Sequence, residues 1–236
     1  MTSASQIPAN IAAIRERIIA AARRAGRAPD QITLMAVSKT QPVEKIVAAY
    51  EAGIRSFGEN RVQEFQAKHE RLRALKDATF TLIGQLQSNK VNKAIELFSA
   101  MHSVDSLKLA ERINAAVERA DKPPLPIAIE INTGDPAKAG LSVDSPELEQ
   151  LLLAAERLPY IQIRGLMTIP PFTDDPEEAR PYFRQLRELR DRIAARKRPG
   201  INMELLSMGM SHDFEVAVEE GSTCVRVGTA IFGERG

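Results

Sequence analysis

Short apolar runs alternate with helical stripes along the chain. Ile11, Ile14, Ile18 and Ala22 recur at helical spacing and form one face, which Gly26 can terminate. Residues 32–38 then predict a first strand. Past Pro42, a helical face carries Val43, Ile46, Val47 and Tyr50 and stops at Gly53. The alternation continues with a strand at 54–57 and a helix bearing Val62, Phe65 and Leu72. A strand at 80–83 and a helix from about Ser88, with Val91 and Ile95, come next. A strand at 99–104 precedes a helix that Asp105 or Ser106 can cap, with Leu109, Ile113 and Val117 inward. After a strand at 126–131, Ser145-Pro146-Glu147 supplies an N-cap, a first-turn proline and a first-turn acid. A strand at 161–169 leads to a helix opened by Asp175-Pro176, in which Pro181 predicts a kink. A strand at 203–207, a short helix capped by Ser211, a strand at 224–227 and a final helix at 231–235 complete the order.

Strict alternation of strand and helix implies parallel strands. Eight units without a long linker or a shift in composition predict one domain over residues 1–236. The fold class is α/β, a (β/α)8 TIM barrel with an extra N-terminal helix. With 44% hydrophobic and 27% charged residues, the chain reads as an ordinary soluble globular protein. A formal net charge of +1 makes no electrostatic case for a nucleic-acid or membrane partner. Arg15, Glu16 and Arg17 interrupt the first apolar stretch, so neither a signal peptide nor a membrane span is expected, and a cytoplasmic location is. Cys224 is the single cysteine, which excludes an internal disulfide and a thiolate metal cluster. His69, His102 and His212 form no spaced set with carboxylates, so no metal site is expected.

In such a barrel the reactive face is built from the loops that follow the strands. Lys39 ends the first strand there. An ordinary lysine is protonated at neutral pH, and placement at the mouth of an apolar core disfavours the ammonium and frees a nucleophile. The alternative is a solvated surface lysine. After the seventh strand, Ser207-Met208-Gly209-Met210-Ser211 allows close backbone approach and leads to a helix start. Gly228-Thr229 follows the eighth strand. Phosphate sites in these barrels form after the last two strands, although turn glycines and a capping serine would give the same pattern. Arg226 lies inside the last strand, opposite in facing to Val225 and Val227. Pointing inward, it needs either a ligand acceptor or a structural ion pair. Asn60 and Asn89 follow the second and third strands, as ligand contacts or as loop and cap residues.

Several strings resemble one family. They include Ala36-Val37-Ser38-Lys39-Thr40, Phe57-Gly58-Glu59-Asn60-Arg61, Ile83-Gly84-Gln85-Leu86-Gln87-Ser88-Asn89-Lys90 and Leu206-Ser207-Met208-Gly209-Met210-Ser211. Val225-Arg226-Val227-Gly228-Thr229-Ala230-Ile231-Phe232-Gly233 belongs with them. They are similar to the pyridoxal phosphate homeostasis proteins of the YggS/PROSC family, in order from about residue 8 onward. The resemblance implies an alanine racemase N-terminal domain-like barrel, a fold type III pyridoxal phosphate protein. It implies that Lys39 holds pyridoxal 5′-phosphate (PLP) as an internal aldimine, with Asn60 near the cofactor. Ser207, Gly228 and Thr229 would contact the phosphate, and Arg226 would face the pyridine nitrogen. Thr81-Leu82 stand where the family often has His-Phe, which removes a histidine from that place.

A racemase of this fold also needs an acid on the face opposite the lysine, supplied by a tyrosine from a second domain of a partner. No second domain is expected here, and Tyr50, Tyr160 and Tyr182 are not placed for that role. The expectation is a non-enzymatic, monomeric protein that stores or delivers PLP, with PLP-dependent apo-enzymes as acceptors and effects on amino-acid and keto-acid pools. The alternative is a weak PLP-dependent amino-acid racemase or related enzyme.

Overall fold

The computed structural model describes residues 3–135 and 138–234. In chain order the strands are β1 Thr33–Val37, β2 Ser56–Glu59, β3 Thr79–Leu82, β4 Ala100–Val104 and β5 Leu125–Asn132. A two-residue β6, Leu141–Ser142, precedes β7 Ile161–Met167, β8 Ile201–Ser207 and β9 Cys224–Val227. All pair in parallel. The β4–β5 and β1–β9 pairings close β1 to β5 and β7 to β9 into an eight-stranded barrel, and β6 lies outside it on β5. The helices are α1 Ile7–Arg24, α2 Val43–Glu51, α3 Val62–Leu72, α4 Val91–Leu97 and α5 Leu107–Arg119. α6 Pro146–Ala154, α7 Arg180–Ala195, α8 Phe214–Glu219 and α9 Thr229–Phe232 follow. This is the (β/α)8 barrel, with α1 as the added element.

Strand alternation sorts the apolar side chains into two layers. The large layer lies between strands and helices and takes Ala36, Phe57, Ile127, Ile129, Val225 and Val227. A small cluster of Met35, Val37, Ile83 and Cys224, with Leu205 against it, fills part of the barrel interior. Local signals set the helix starts. Ser106 Oγ accepts from Leu109 N–H and Ser145 Oγ from Leu148 N–H. α3 is seated by rings. Phe65 lies 4.6 Å from Phe80 and 4.9 Å from Phe98, and Phe57 lies 5.3 Å from Phe80. Each such pair contributes about 0.5–1.5 kcal/mol beyond its buried area.

Three expectations change. β2 runs two residues later than its apolar pattern suggests, because Gly58 and Glu59 are both buried within it. A Cβ on Gly58 would lie 2.9 Å from Met35 Sδ and from Ile83 Cδ1, so the position has room for hydrogen only. Pro181 does not kink a helix. Residues Pro176–Ala179 form a separate 3-10 turn capped by Asp175, and α7 begins at Arg180, which puts Pro181 in its first turn. Ser211 does not cap α8. Asp213 stands at that N-cap, and its Oδ1 accepts from Met210 N–H at 2.6 Å. The last helix is α9, and Arg235 lies outside the described residues.

Candidate functional site

Lys39 sits two residues past β1, partly buried, at the centre of a turn in which Gln41 N–H donates to Ser38 O at 3.1 Å. Thr40, beside it, adopts φ 63°, a left-handed conformation rare for a β-branched residue. Ser38 continues the outward facing of Ala36 and is fully buried. Its Oγ donates to Glu59 Oε1 at 2.7 Å.

Asn60 follows β2 and is partly buried. Gly84, after β3, packs directly on it: a Cβ there would stand 2.4 Å from Asn60 O, so only glycine fits. Asn60 lines an open polar cavity of about 860 Å³ with Arg61, Gln63, Glu64, Gln85 and Lys90.

Arg226 is a buried charge of the barrel, 3% exposed. Nη1 donates to Ser207 Oγ at 2.9 Å and Nη2 to Thr168 O at 2.8 Å. Among the described residues it makes no ion pair, so the structural salt bridge left open above is not what satisfies it. Burial lowers its pKa from the ordinary value, yet a guanidinium keeps its proton in proteins. Ser207 Oγ also meets His102 Nδ1 at 3.2 Å. Burial, and then Arg226, pushes His102 down to about 3, so its ring is neutral near pH 7. A serine that accepts from Arg226 has its own proton for that ring. Cys224, on the same face of β9, has its thiol pushed up to about 11 by burial, which leaves it a poor nucleophile.

Glu130 on β5 is 7% exposed, and its carboxyl makes no hydrogen bond among the described residues. Burial, then Asp105, pushes it up to about 7 against the pull of Arg226. Sequence reasoning missed this residue, although the signal existed. Ile127, Ile129 and Ile131 face the helices, so alternation turns Glu130 inward, as it does Arg226. Thr168 was legible only as a reactive-face position at the end of its strand, and His102 had no comparable signal.

Gly228 lies next to β1, where a Cβ on it would meet Val37 Cβ at 3.4 Å. The Gly228 and Ala230 N–H groups converge on Ser211 Oγ at 3.2 and 3.3 Å. Thr229 is exposed at the start of α9. The structure therefore groups Ser207 with Arg226 and His102, and Ser211 with Gly228. Among the described residues no tyrosine hydrogen-bonds to either group. Tyr50 bonds Asp77, Tyr160 adjoins α5 through Asn114, and the Tyr182 ring packs on Gly134 after β5. The remaining histidines pack elsewhere, His69 on Phe65 and His212 on Phe172.

Residues 9–236 match the family described as alanine racemase, N-terminal domain. A pyridoxal phosphate homeostasis protein of Aquifex aeolicus is 45% identical over 94% of this chain and 95% of its own. The structure of PipY from Synechococcus elongatus, solved with PLP bound, aligns at TM-score 0.85 and 38% identity over 97% of this chain and 100% of that one. An alanine racemase of Clostridium difficile shares the fold at TM-score 0.71 and 16% identity, over 98% of this chain and 57% of the racemase. A family match across the barrel, with near full-length relatives at these identities, places the chain in the alanine racemase N-terminal domain family, among the pyridoxal phosphate homeostasis proteins.

Proposed function

We propose that this chain binds PLP at the mouth of its barrel, tethered by a Schiff base through Lys39 Nζ, and serves PLP homeostasis by storing and delivering the cofactor. The observation that carries the reading is Arg226: a buried, permanently charged donor, held among the described residues by neutral oxygens, suits a ring nitrogen with a lone pair. The Gly228 and Ala230 N–H groups and the Ser211 hydroxyl on which they converge suit a phosphate group as a set of donors. Lys39, beside β9 through the β1 pairing, is the amine on the same rim. Asn60, Ser207, Gly228 and Thr229 complete the assigned contacts. Bound there, the cofactor would supply an aldehyde carbon and an electron-accepting ring. The relative from Synechococcus elongatus, solved with PLP bound, supports this occupant.

The reading is of a carrier. Arg226 keeps a ring nitrogen unprotonated, which makes a weaker electron sink than a carboxylate partner would. The relatives are named for homeostasis. We further propose that PLP-dependent apo-enzymes accept the cofactor, effects on amino-acid and keto-acid balance follow, and the chain works as a cytoplasmic monomer. Among the described residues no helix is long and apolar enough to cross a membrane.

One observation favours an enzyme. Glu130, near neutrality in its pKa and without a hydrogen bond, can hold or release a proton inside the barrel. Two measurements decide. Borohydride reduction followed by peptide mapping should place the adduct on Lys39; an adduct elsewhere, or no yellow protein, sinks the site. Solvent deuterium exchange at Cα of a panel of amino acids should show no turnover; exchange abolished by Glu130→Gln would establish the enzyme instead.

A further inference from the structure

Behind the Lys39 turn lies an ion cluster to which the reading above gives no role. Lys68, on α3, is 12% exposed and sits between two carboxylates, Glu59 Oε1 at 2.9 Å and Glu64 Oε1 at 3.1 Å. Lys68 Nζ also donates to Ser38 O at 3.2 Å, and Glu59 Oε1 accepts from Ser38 Oγ at 2.7 Å. On the other side of Lys39, Thr40 N–H donates to Glu64 Oε1. The cluster therefore holds both neighbours of Lys39, one through its carbonyl and hydroxyl and the other through its amide.

Two features of this cluster are costly, and neither is needed to pack a helix on a strand. Glu59 is fully buried, and its Oε2 has no hydrogen-bond partner among the described residues. Thr40 holds φ 63° at the third place of its turn, where glycine or asparagine is usual. Local strain of this kind persists only where the surroundings over-determine it, and it gathers at functional sites. Burial raises the Glu59 carboxyl above its ordinary range, opposed mainly by Lys68.

We propose that Glu59, Lys68 and Glu64 are positioning residues that clamp the strained Ser38–Gln41 turn and so fix where Lys39 presents its amine. The proposal rests on the reading of Lys39 as the cofactor lysine. The clamp reaches from α3, whose own seat is the Phe57, Phe65, Phe80 and Phe98 ring cluster. Helix packing thereby sets the position of a lysine on another element.

The test uses Glu64, partly exposed and at the first turn of α3, where substitution spares the core. Glu64→Ala removes the acceptor for Thr40 N–H, whereas Glu64→Gln keeps one. With PLP-loaded protein, the readouts are the pH midpoint of the visible band and the rate of cofactor release to an excess of a PLP-dependent apo-enzyme. Glu64→Ala is expected to shift the midpoint and speed release at least about tenfold, a modest share of what a 1 Å misplacement costs. Glu64→Gln is expected to restore both. Thr40→Gly, which removes the strain, is expected to reduce the effect of Glu64→Ala. A second variant, Lys68→Met with Glu59→Gln, leaves no buried charge and is expected to match Glu64→Ala. An unshifted midpoint together with a release rate within twofold of the unmodified chain, in both Glu64→Ala and the double variant, overturns the clamp while leaving the Lys39 site intact. An unmodified chain with no reducible cofactor on Lys39 overturns both.

Discussion

Arg226 Nη1 donates to Ser207 Oγ at 2.9 Å inside the barrel, and Ser207 Oγ in turn meets His102 Nδ1 at 3.2 Å. A permanent cation is thus linked through one hydroxyl to a neutral imidazole, without a carboxylate in contact among the described residues. Such a chain presents a fixed donor to whatever occupies the barrel above it.

Arg226→Leu removes that donor while keeping apolar volume. A hydrogen bond from a charged group contributes about 1.5–3 kcal/mol, so PLP affinity should fall about 10- to 100-fold. Titration followed by visible absorption measures this. Affinity within twofold of the unmodified chain would mean that Arg226 meets no ligand.

Ser211 Oγ collects the Gly228 and Ala230 N–H groups at 3.2 and 3.3 Å. If this is the phosphate seat, Ser211→Ala weakens PLP by about 5- to 10-fold, the worth of one ordinary hydrogen bond. Binding of pyridoxal, which has no phosphate, should stay the same. Equal losses for both ligands would place the phosphate elsewhere.

Glu130 and His102 give opposite slopes of stability against pH. Glu130 rises from 4.5 to about 7 through burial and then Asp105, so the folded chain keeps a proton that the unfolded chain releases. Its contribution is full below about 4.5 and is lost as pH rises to about 7. His102 falls from 6.5 to about 3 through burial and then Arg226. Its contribution is full above 6.5 and is lost as pH falls toward 3. The two oppose each other between 4.5 and 6.5. Glu130→Gln should therefore gain on the unmodified chain by about 3 kcal/mol from pH 4.5 to pH 7. Urea unfolding across that range tests it, and a gap independent of pH refutes the assignment.

Gly209 holds φ 91°, and a Cβ there would stand 2.5 Å from Ala217 Cβ and 3.0 Å from Phe214 Cα. Its carbonyl accepts the Arg226 backbone N–H at 2.9 Å. Gly209→Ala should cost about 1–3 kcal/mol in chemical unfolding. It should also weaken PLP, because the same loop carries Ser211. Unchanged stability would show that the loop yields to a methyl group.

Much of the fold was legible in local pattern. Apolar runs and stripes placed the eight barrel strands and their helices, and Ser106, Ser145 and Asp175 marked helix or 3-10 starts where their side chains do accept backbone N–H groups. These features depend on neighbours within a turn or a strand, so one segment contains the whole signal. Lys39 and Arg226 stood out for the same reason, one ending a strand and the other alternating with Val225 and Val227.

The rest depended on segments far apart in the chain. Glu59 looked like a loop residue because it is charged, and only Lys68 and Ser38 make its burial in β2 tolerable. Ser211 looked like a helix cap until β9 brought Gly228 and Ala230 to it. His102 is 105 residues from the serine it meets. Local periodicity was enough to tell which elements form and which side chains can carry charge into the barrel. The tertiary structure decided which of those charges are paired, strained or left open, because pairing depends on distance across a closed barrel and no local periodicity records it.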